Sequence, residues 1–156
     1  LGRFFTGQGK LIMVTQSFGE TFSELIFDNK TTPEKLAQAI GIDRSVIYRY
    51  LRKQCLPSLS NAAAVADYFG CSVDFLLGLT DNGDKVYSAS GNFAQRFRQL
   101  LENKNLTRYA FCKSNSFAEQ SVDDWYHGKR MPNVQNAILI AKFFDCSLDF
   151  LLGRES

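Results

Sequence analysis

Apolar residues recur every three or four positions along most of this chain, which is the spacing of one buried helix face. From residue 18 this spacing predicts a first helix over 18–29. Its inner face would carry Phe18, Phe22, Leu25 and Ile26. Apolar and polar residues rarely alternate, so no strand is predicted. The pattern therefore favours an all-α fold.

Residues that begin and end helices well divide the following segment into four more helices. Thr32 precedes Pro33, which a helix tolerates at its first position. Gly41 predicts a turn before a third helix, which Asp43 begins. The remaining signals are Pro57 and Ser58 before the fourth helix, Ser72 before the fifth, and Gly78 at its end. Five short helices are therefore expected in roughly 60 residues, a length that a small helical domain can have.

The whole pattern occurs a second time, at an offset of 75 residues and without a gap. The clearest match joins CSVDFLLG at 71–78 to CSLDFLLG at 146–153. A repeat that keeps its register over this length predicts two related domains, 18–79 and 92–156. The segment 80–91 is rich in Gly, Ser, Asp and Asn and has no period, so it is predicted to be the linker.

Residues 1–17 are interpreted as an N-terminal extension. Within it, residues 1–12 carry glycines and scattered apolar residues without a sustained period. A loosely ordered segment is therefore expected there. The alternative is that Phe4 and Phe5 dock on the first domain.

Composition excludes several classes of protein. No apolar run approaches the roughly 20 residues that a membrane helix needs, and the first residues lack the pattern of a signal peptide. No membrane association and a cytoplasmic location are therefore expected. The net charge of +2 is too small to identify a partner, so an argument about nucleic acid must depend on where the charges lie.

Candidate chemistry is sparse along the chain. The four cysteines have no CxxC spacing, and His127 is the only histidine, which argues against a zinc site. Cys71 and Cys146 stand at matching places in the two repeats and are interpreted as small buried residues in a reducing compartment. The sequence has no phosphate-binding glycine loop and no nucleophile with a base partner. No cofactor, no metal and no enzymatic activity are therefore predicted.

The third predicted helix of the first repeat has two different faces. At about 100° per residue, one arc holds Val46, Ile47, Tyr50 and Leu51. The other arc holds Arg44, Ser45, Tyr48, Arg49, Arg52 and Lys53. Arginine can hold the acceptor edge of guanine with two hydrogen bonds, and it also binds phosphate. The stretch is either a DNA-reading helix or an ordinary core helix with a solvated basic face.

Taken together, the repeat resembles the Cro/C1-type helix-turn-helix domain of phage repressors and of bacterial regulators of the xenobiotic-response-element family. The resemblance depends on Leu36-Ala37, Gly41-Ile42, Arg44-Ser45, Ile47, Arg49-Tyr50 and Pro57-Ser58. The second repeat carries the pattern through Thr107, Val122, Trp125, Gly128-Lys129-Arg130 and Pro132. The family implies two tandem λ-repressor-like five-helix domains, in each of which the second and third helices form the helix-turn-helix and the third enters the major groove.

The resemblance also assigns roles to residues of the first repeat. It implies base contacts by Arg44, Ser45, Tyr48 and Arg49, and contacts to the DNA backbone by Arg52 and Lys53. Two positions depart from the family. Pro33 stands where the family has a glutamine that contacts phosphate, and 53–55 replaces a Gly-Lys-Arg loop.

The second repeat departs in the opposite sense. The outer face of its third helix carries Glu119, Gln120, Asp123, Asp124 and His127. Three carboxylates on this face would be repelled by a polyanion. Arg108 occupies the phosphate-contacting position that the resemblance defines, and Lys129 and Arg130 keep the basic loop. Contacts to the DNA backbone, rather than base reading, are therefore expected of this repeat.

Two classes of function remain. One is a sequence-specific transcriptional regulator that reads double-stranded DNA through the first domain. The other is a protein-interaction module of the antitoxin or anti-regulator type. The favoured interpretation combines them, with the second domain supplying backbone contacts or a homodimer contact. The candidate dimer surface is the apolar region of Phe143-Phe144 and Phe150-Leu151-Leu152.

Overall fold

A computed structural model of the protein describes residues 7–81 and 91–155. Over these two ranges the regular structure is entirely helical, which confirms the all-α prediction. The chain divides into two compact units between residues 86 and 87, and each is described by itself. Most of the predicted linker, 82–90, lies outside the described residues. In the described ranges, none of the helices combines the length and apolar character needed to span a membrane.

The first unit contains five helices in the described part of the chain. They are α1 (Gly7–Asp28), α2 (Pro33–Ile40), α3 (Arg44–Leu51), α4 (Leu59–Phe69) and α5 (Val73–Leu76). The second unit contains five more among residues 91–155. They are α6 (Phe93–Asn103), α7 (Arg108–Asn115), α8 (Glu119–His127), α9 (Val134–Phe144) and α10 (Leu148–Leu151).

Helix α1 begins earlier than the sequence predicts. It starts at Gly7 rather than at residue 18, so the predicted extension is helical from residue 7 onward. Leu11 and Val14 in fact continue the spacing of Phe18 and Phe22 toward the N-terminus. Val14 is half-buried one turn before the fully buried Phe18. The spacing of three and four residues in the sequence thus continues into the part of α1 that precedes residue 18.

The predicted cap residues begin the short helices of the first unit. The Thr32 hydroxyl accepts from the backbone N–H of Lys35 at 3.2 Å, and α2 ends at Gly41 with φ of 71°. Asp43 caps α3, Ser58 caps α4 and Ser72 caps α5. Each cap satisfies a backbone donor that the first helical turn leaves without a partner. Helix α8 differs, because Ala118 precedes it and provides no side-chain cap.

The core of the first unit is built around three aromatic rings. Phe18 and Phe22 stack on each other with 5.4 Å between ring centroids, and Tyr50 meets Phe18 edge-on at 5.3 Å. Tyr50 is only 2% exposed, and its hydroxyl accepts from the side chain of Asn61 at 3.0 Å. Burial raises the pKa of Tyr50. This packing holds the inner face of α3 against α1, as the two-faced pattern predicts.

The core of the second unit is aromatic as well. Phe93 and Phe97 stack at 5.8 Å, and Trp125 takes the position of Tyr50, also 2% exposed. Phe97 and Phe111 extend the cluster to Phe144. An ion pair between Asp149 and Arg154 is buried near the end of this unit, with both side chains 1% exposed.

The predicted dimer surface is largely core. Phe144 is 7% exposed, and Leu151 and Leu152 are buried. Phe143 and Phe150 are half-buried, and each lies beneath a cation, with Lys104 Nζ 5.7 Å from the Phe143 ring and Arg96 Cζ 4.2 Å from the Phe150 ring. Three of the five predicted contact residues therefore belong to the unit's own core, and the homodimer itself stays a prediction.

The cysteines are thiols that serve mainly as small packing residues. Cys71 and Cys112 are buried, while Cys55 and Cys146 are half-buried. Burial raises the pKa of the Cys112 thiol, which keeps it protonated. Cys112 stands where the first unit has Ala37, and both positions are buried.

Candidate nucleic-acid interface

The outward face of α3 carries the predicted DNA-reading residues. Arg44, Ser45 and Arg49 are exposed and Tyr48 is half-buried, whereas Ile47 and Tyr50 face the core. Arg52 and Lys53 are exposed just beyond the end of the helix. Val46 and Leu51, predicted for the inner arc, are half-buried at its edges. The two faces of α3 therefore differ in the structure as they do in the pattern.

Most of these residues line a single open recess of about 560 Å³. Its walls are Glu34, Asp43, Arg44, Ser45, Tyr48, Arg49 and Arg52. The recess brings together the four predicted base-reading residues and Arg52, while Lys53 does not line it. It also contains two carboxylates, of which Glu34 was not predicted and Asp43 was predicted only as a cap.

Basic charge in the first unit is concentrated at this face. Residues 18–79 contain six lysines and arginines and seven aspartates and glutamates, so this segment as a whole is not basic. Four of the six cations are Arg44, Arg49, Arg52 and Lys53, which belong to α3 or directly follow it. A local positive surface on a nearly neutral body can steer a polyanion toward one helix.

Asp43 fixes the start of α3 and orients Ser45. Its Oδ1 accepts from the backbone N–H of Ser45 at 2.8 Å and from the Ser45 hydroxyl at 2.6 Å. These hydrogen bonds hold the pKa of Asp43 below its ordinary value, with a further contribution from Arg44. The Ser45 hydroxyl therefore donates within the protein and presents its oxygen outward as an acceptor.

Tyr48 is joined across the turn to α2. Its hydroxyl donates to Glu34 Oε1 at 2.6 Å, and Arg52 Cζ lies 5.9 Å from the centre of its ring. The hydrogen bond lowers the pKa of Glu34 and raises that of Tyr48. Glu34 is thus a carboxylate and Tyr48 a neutral phenol at neutral pH. Sequence reasoning missed this pair because the two residues are 14 positions apart.

Lys53 has an internal partner and an unusual backbone. Its Nζ lies 3.2 Å from Glu20 Oε1 of α1, and its φ of 58° is in the left-handed region. Gly19 makes room for it, because a Cβ at Gly19 would fall 2.5 Å from the Lys53 side chain. A phosphate that contacts Lys53 would therefore compete with Glu20 for the same ammonium group.

In the second unit Arg108, a predicted contact to the DNA backbone, is already paired with a residue of α8. Arg108, at the start of α7, forms an ion pair with Asp123 of α8, and its Cζ lies 4.6 Å from the ring centre of Tyr126. Both partners of the ion pair are close to half exposed, at 43% and 47%. The Nδ1 atom of His127 lies 2.9 Å from the carbonyl oxygen of Asp123. Arg108 and Asp123 thus neutralise each other.

Arg130, another predicted contact to the DNA backbone, is likewise paired with an aspartate of α8. Arg130 Nε lies 2.9 Å from Asp124 Oδ2, and another Arg130 nitrogen donates to the Ser121 hydroxyl. Gln120 donates to Asp124 Oδ1 at 2.9 Å. The hydrogen bond from Gln120 and then the one from Arg130 lower the pKa of Asp124. Of the remaining predicted residues, Glu119 and Lys129 are exposed.

Comparison with known proteins bears on the first unit. The protein-family model described as Helix-turn-helix matches residues 28–76. This range covers α2, α3, the connection between them and the recess. Helices α2 and α3, with the turn that joins them, form a helix-turn-helix.

Two curated relatives are regulators by name. The chain is 32% identical over 63 residues to HTH-type transcriptional activator BcrR of Enterococcus faecalis, a match that covers 40% of this chain and 31% of the relative. It is 39% identical over 56 residues to the uncharacterized HTH-type transcriptional regulator YobD of Bacillus subtilis, covering 36% of this chain and 50% of the relative. The chain thus spans half or less of these relatives. No solved structure gave a significant match.

Proposed function

We propose that this protein is a transcriptional regulator that binds double-stranded DNA sequence-specifically through the helix-turn-helix of its first unit. The observation that carries the proposal is the outward face of α3, where Arg44, Ser45, Tyr48 and Arg49 line one recess within the matched segment. The names of the two relatives, both transcriptional regulators, support the same function.

The proposed roles follow from the chemistry of each side chain. Arg44 and Arg49 are exposed fork-shaped donors, suited to the two acceptors of guanine in the major groove. Arg52 and Lys53 follow the helix and would contact phosphates, which position the helix without reading sequence. Ser45 and Tyr48 lie between these groups and would add polar contacts to base edges.

The second unit is proposed to assist rather than to read. The residues at positions 119, 123 and 124 are carboxylates where the first unit has Arg44, Tyr48 and Arg49. Arg108, Lys129 and Arg130 would contact the DNA backbone, although at Arg108 and Arg130 a phosphate would compete with the aspartate already paired there. A homodimer contact through this unit is the other way in which it would contribute, by presenting two reading helices to one operator.

Unbiased selection of bound DNA from a random duplex pool tests this function. Full-length protein should enrich a defined motif, and its affinity for the winner should fall with salt at a slope of about −0.9 per neutralised phosphate. A protein that enriches no motif, or binds every duplex alike, would not be a sequence-specific regulator. Sedimentation of the bound complex reports at the same time whether one or two copies occupy the site.

A protein-interaction module of the antitoxin or anti-regulator type is the second candidate. The observation that favours it is the outer face of α8, where carboxylates hold the arginines in pairs. A surface on which opposite charges neutralise each other suits a polar contact with another protein better than contact with a polyanion. If this candidate is correct, the selection experiment yields no motif, and the purified chain changes the DNA binding of another regulator without itself touching the duplex.

A further inference from the structure

We propose that Tyr48 reads the exocyclic amine of a base, because its hydrogen bond to Glu34 leaves its hydroxyl oxygen as an acceptor. This inference rests on the proposed DNA-binding function and assigns to one position of the interface a preference opposite to that of the arginines around it. Tyr48 becomes a specificity-determining residue, and Glu34 a positioning residue that acts through it.

The polarity of the hydroxyl follows from the identity of its partner. An ionised carboxylate can only accept hydrogen bonds, so the proton in the 2.6 Å contact belongs to Tyr48 and points toward Glu34. The hydroxyl has one proton and two lone pairs. With that proton committed, the oxygen can offer only lone pairs to a third group.

The surroundings keep this arrangement in place. Glu34 is the second residue of α2 and lines the recess. The hydrogen bond from Tyr48, with a further contribution from the charge of Arg44, lowers the pKa of Glu34, so it is a carboxylate at neutral pH. The raised pKa of Tyr48 keeps the phenol protonated. Arg52 Cζ lies 5.9 Å from the centre of the Tyr48 ring. Tyr48 thus contacts Glu34 through its hydroxyl and Arg52 through its ring before any ligand arrives.

The ligand that matches an acceptor is a base amine. In the major groove cytosine presents N4 and adenine presents N6 as donors, whereas guanine O6 and N7 and thymine O4 are acceptors. Phosphate oxygens are acceptors as well, and the adjacent charge of Glu34 disfavours them. A tyrosine at this place would thus favour cytosine N4 or adenine N6, while Arg44 and Arg49 favour guanine.

Amine-deleted bases test the inference on the full-length protein and its selected duplex. Each cytosine of the site is replaced in turn by 2-pyrimidinone and each adenine by purine, which removes only the amine. Affinity is measured for the wild type and for Tyr48→Phe, Glu34→Ala, Tyr68→Phe and Glu24→Gln. The last two are matched controls that remove a tyrosine hydroxyl and a carboxylate from exposed residues outside the recess.

The expected result is an energetic coupling between the Tyr48 hydroxyl and the amine of one base in the site. One amine deletion should weaken the wild type by about three- to tenfold more than it weakens Tyr48→Phe, the size of one hydrogen bond. Glu34→Ala should lower that coupling, because the hydroxyl can then donate, while the two controls keep it. Comparing two proteins on the same DNA cancels the effect of the analogue on base pairing.

Three outcomes would overturn the inference. The amine deletions could affect wild type and Tyr48→Phe alike at every position. Tyr48→Phe could weaken all duplexes equally, which would make Tyr48 a phosphate donor. Glu34→Ala could leave the coupling unchanged, which would remove Glu34 from the reading of bases. A failure to select any motif would instead contradict the proposed function itself, so the two failures are distinguishable.

Discussion

Helices α3 and α8 occupy matching places in the repeat, yet their outward faces use opposite chemistry. On α3 arginines point outward and a tyrosine joins the helix to a glutamate on α2. On α8 aspartates point outward, and each holds an arginine from α7 or from the loop that follows α8. Both arrangements link the third helix to the start of the second. They differ in whether cations remain available to a ligand.

The ends of the two helices differ in a related way. At position 53 a lysine takes a left-handed φ of 58° and packs on Gly19, whereas at the matching position Gly128 has a φ of 72° and faces Ala94. Glycine adopts this backbone at little cost, and lysine does not. The first unit therefore keeps a cation at the end of its third helix at some expense in conformational energy.

Removing an arginine from the outward face of α3 should cause the largest change in DNA binding. Arg44→Ala or Arg49→Ala is expected to cost about 1–3 kcal/mol on the selected duplex and to relax preference at one base pair, because a guanine loses its bidentate partner. Fluorescence anisotropy titrations against matched and mismatched duplexes measure it. The control is Glu119→Ala, at the place in α8 that matches Arg44, which should leave the preference intact. Equal losses on every duplex would make Arg44 and Arg49 backbone contacts only.

A smaller effect is expected in stability from Gly128→Ala. It should lower the free energy of unfolding of the second unit by about 1–2 kcal/mol, because alanine is strained at positive φ. Trp125, the single tryptophan, is buried three residues away and reports this unit in urea denaturation. Gly41→Ala places the same strain in the first unit, with φ of 71°, and should leave the Trp125 transition in place. An unshifted transition for Gly128→Ala would contradict the account of this helix end.

Lys53→Gly is the reverse substitution, because it places glycine at a left-handed φ. The expected gain in stability is smaller than the loss caused by Gly128→Ala. Relief of the left-handed φ should stabilise the first unit by up to about 1 kcal/mol, reduced by loss of the exposed ion pair with Glu20. Far-UV circular dichroism during urea denaturation checks the sign. DNA affinity should fall on all sequences alike, with a salt slope shallower by about one. A change of sequence preference would give Lys53 a role in base reading that its position does not predict.

The smallest effect concerns the aspartates of α8. Asp123→Asn with Asp124→Asn should make Arg108 and Arg130 more available to phosphate. Because both arginines are already about half exposed, the salt slope should steepen by less than about one, without a change of motif. The control pair, Glu102→Gln with Asp145→Asn, removes the same charge from exposed residues of this unit. Equal steepening by both pairs would indicate a general charge effect and no restraint by the ion pairs.

The sequence predicts the parts of the fold that depend on neighbouring positions. Thr32, Asp43, Ser58 and Ser72 cap the helices as expected, and the inner face of α3 is set by a spacing of three and four residues. Leu11 and Val14 also continue the spacing of Phe18 toward the N-terminus, so the sequence indicates part of the added length of α1. These features need only the local geometry of one helix.

The contacts that set the chemistry of the two faces depend on how helices cross. Glu34 and Tyr48, and likewise Arg108 and Asp123, belong to different helices, and no sequence period relates them. The sequence alone therefore predicts Arg108 and Arg130 as contacts to the DNA backbone, and Asp123 and Asp124 as part of a separate acidic face. That these arginines and aspartates form ion pairs with each other cannot be predicted from the sequence, because the pairing depends on the fold.

Parallel DNA selection with three full-length proteins tests most directly the claim that the first unit alone reads sequence. The proteins are the wild type, Arg44→Ala with Arg49→Ala, and Glu119→Ala with Asp124→Ala, the same two positions in α8. The account predicts that the motif of the wild type disappears in the first double variant and is unchanged in the second. A motif that survives loss of both arginines, or that is lost on changing α8, would contradict it.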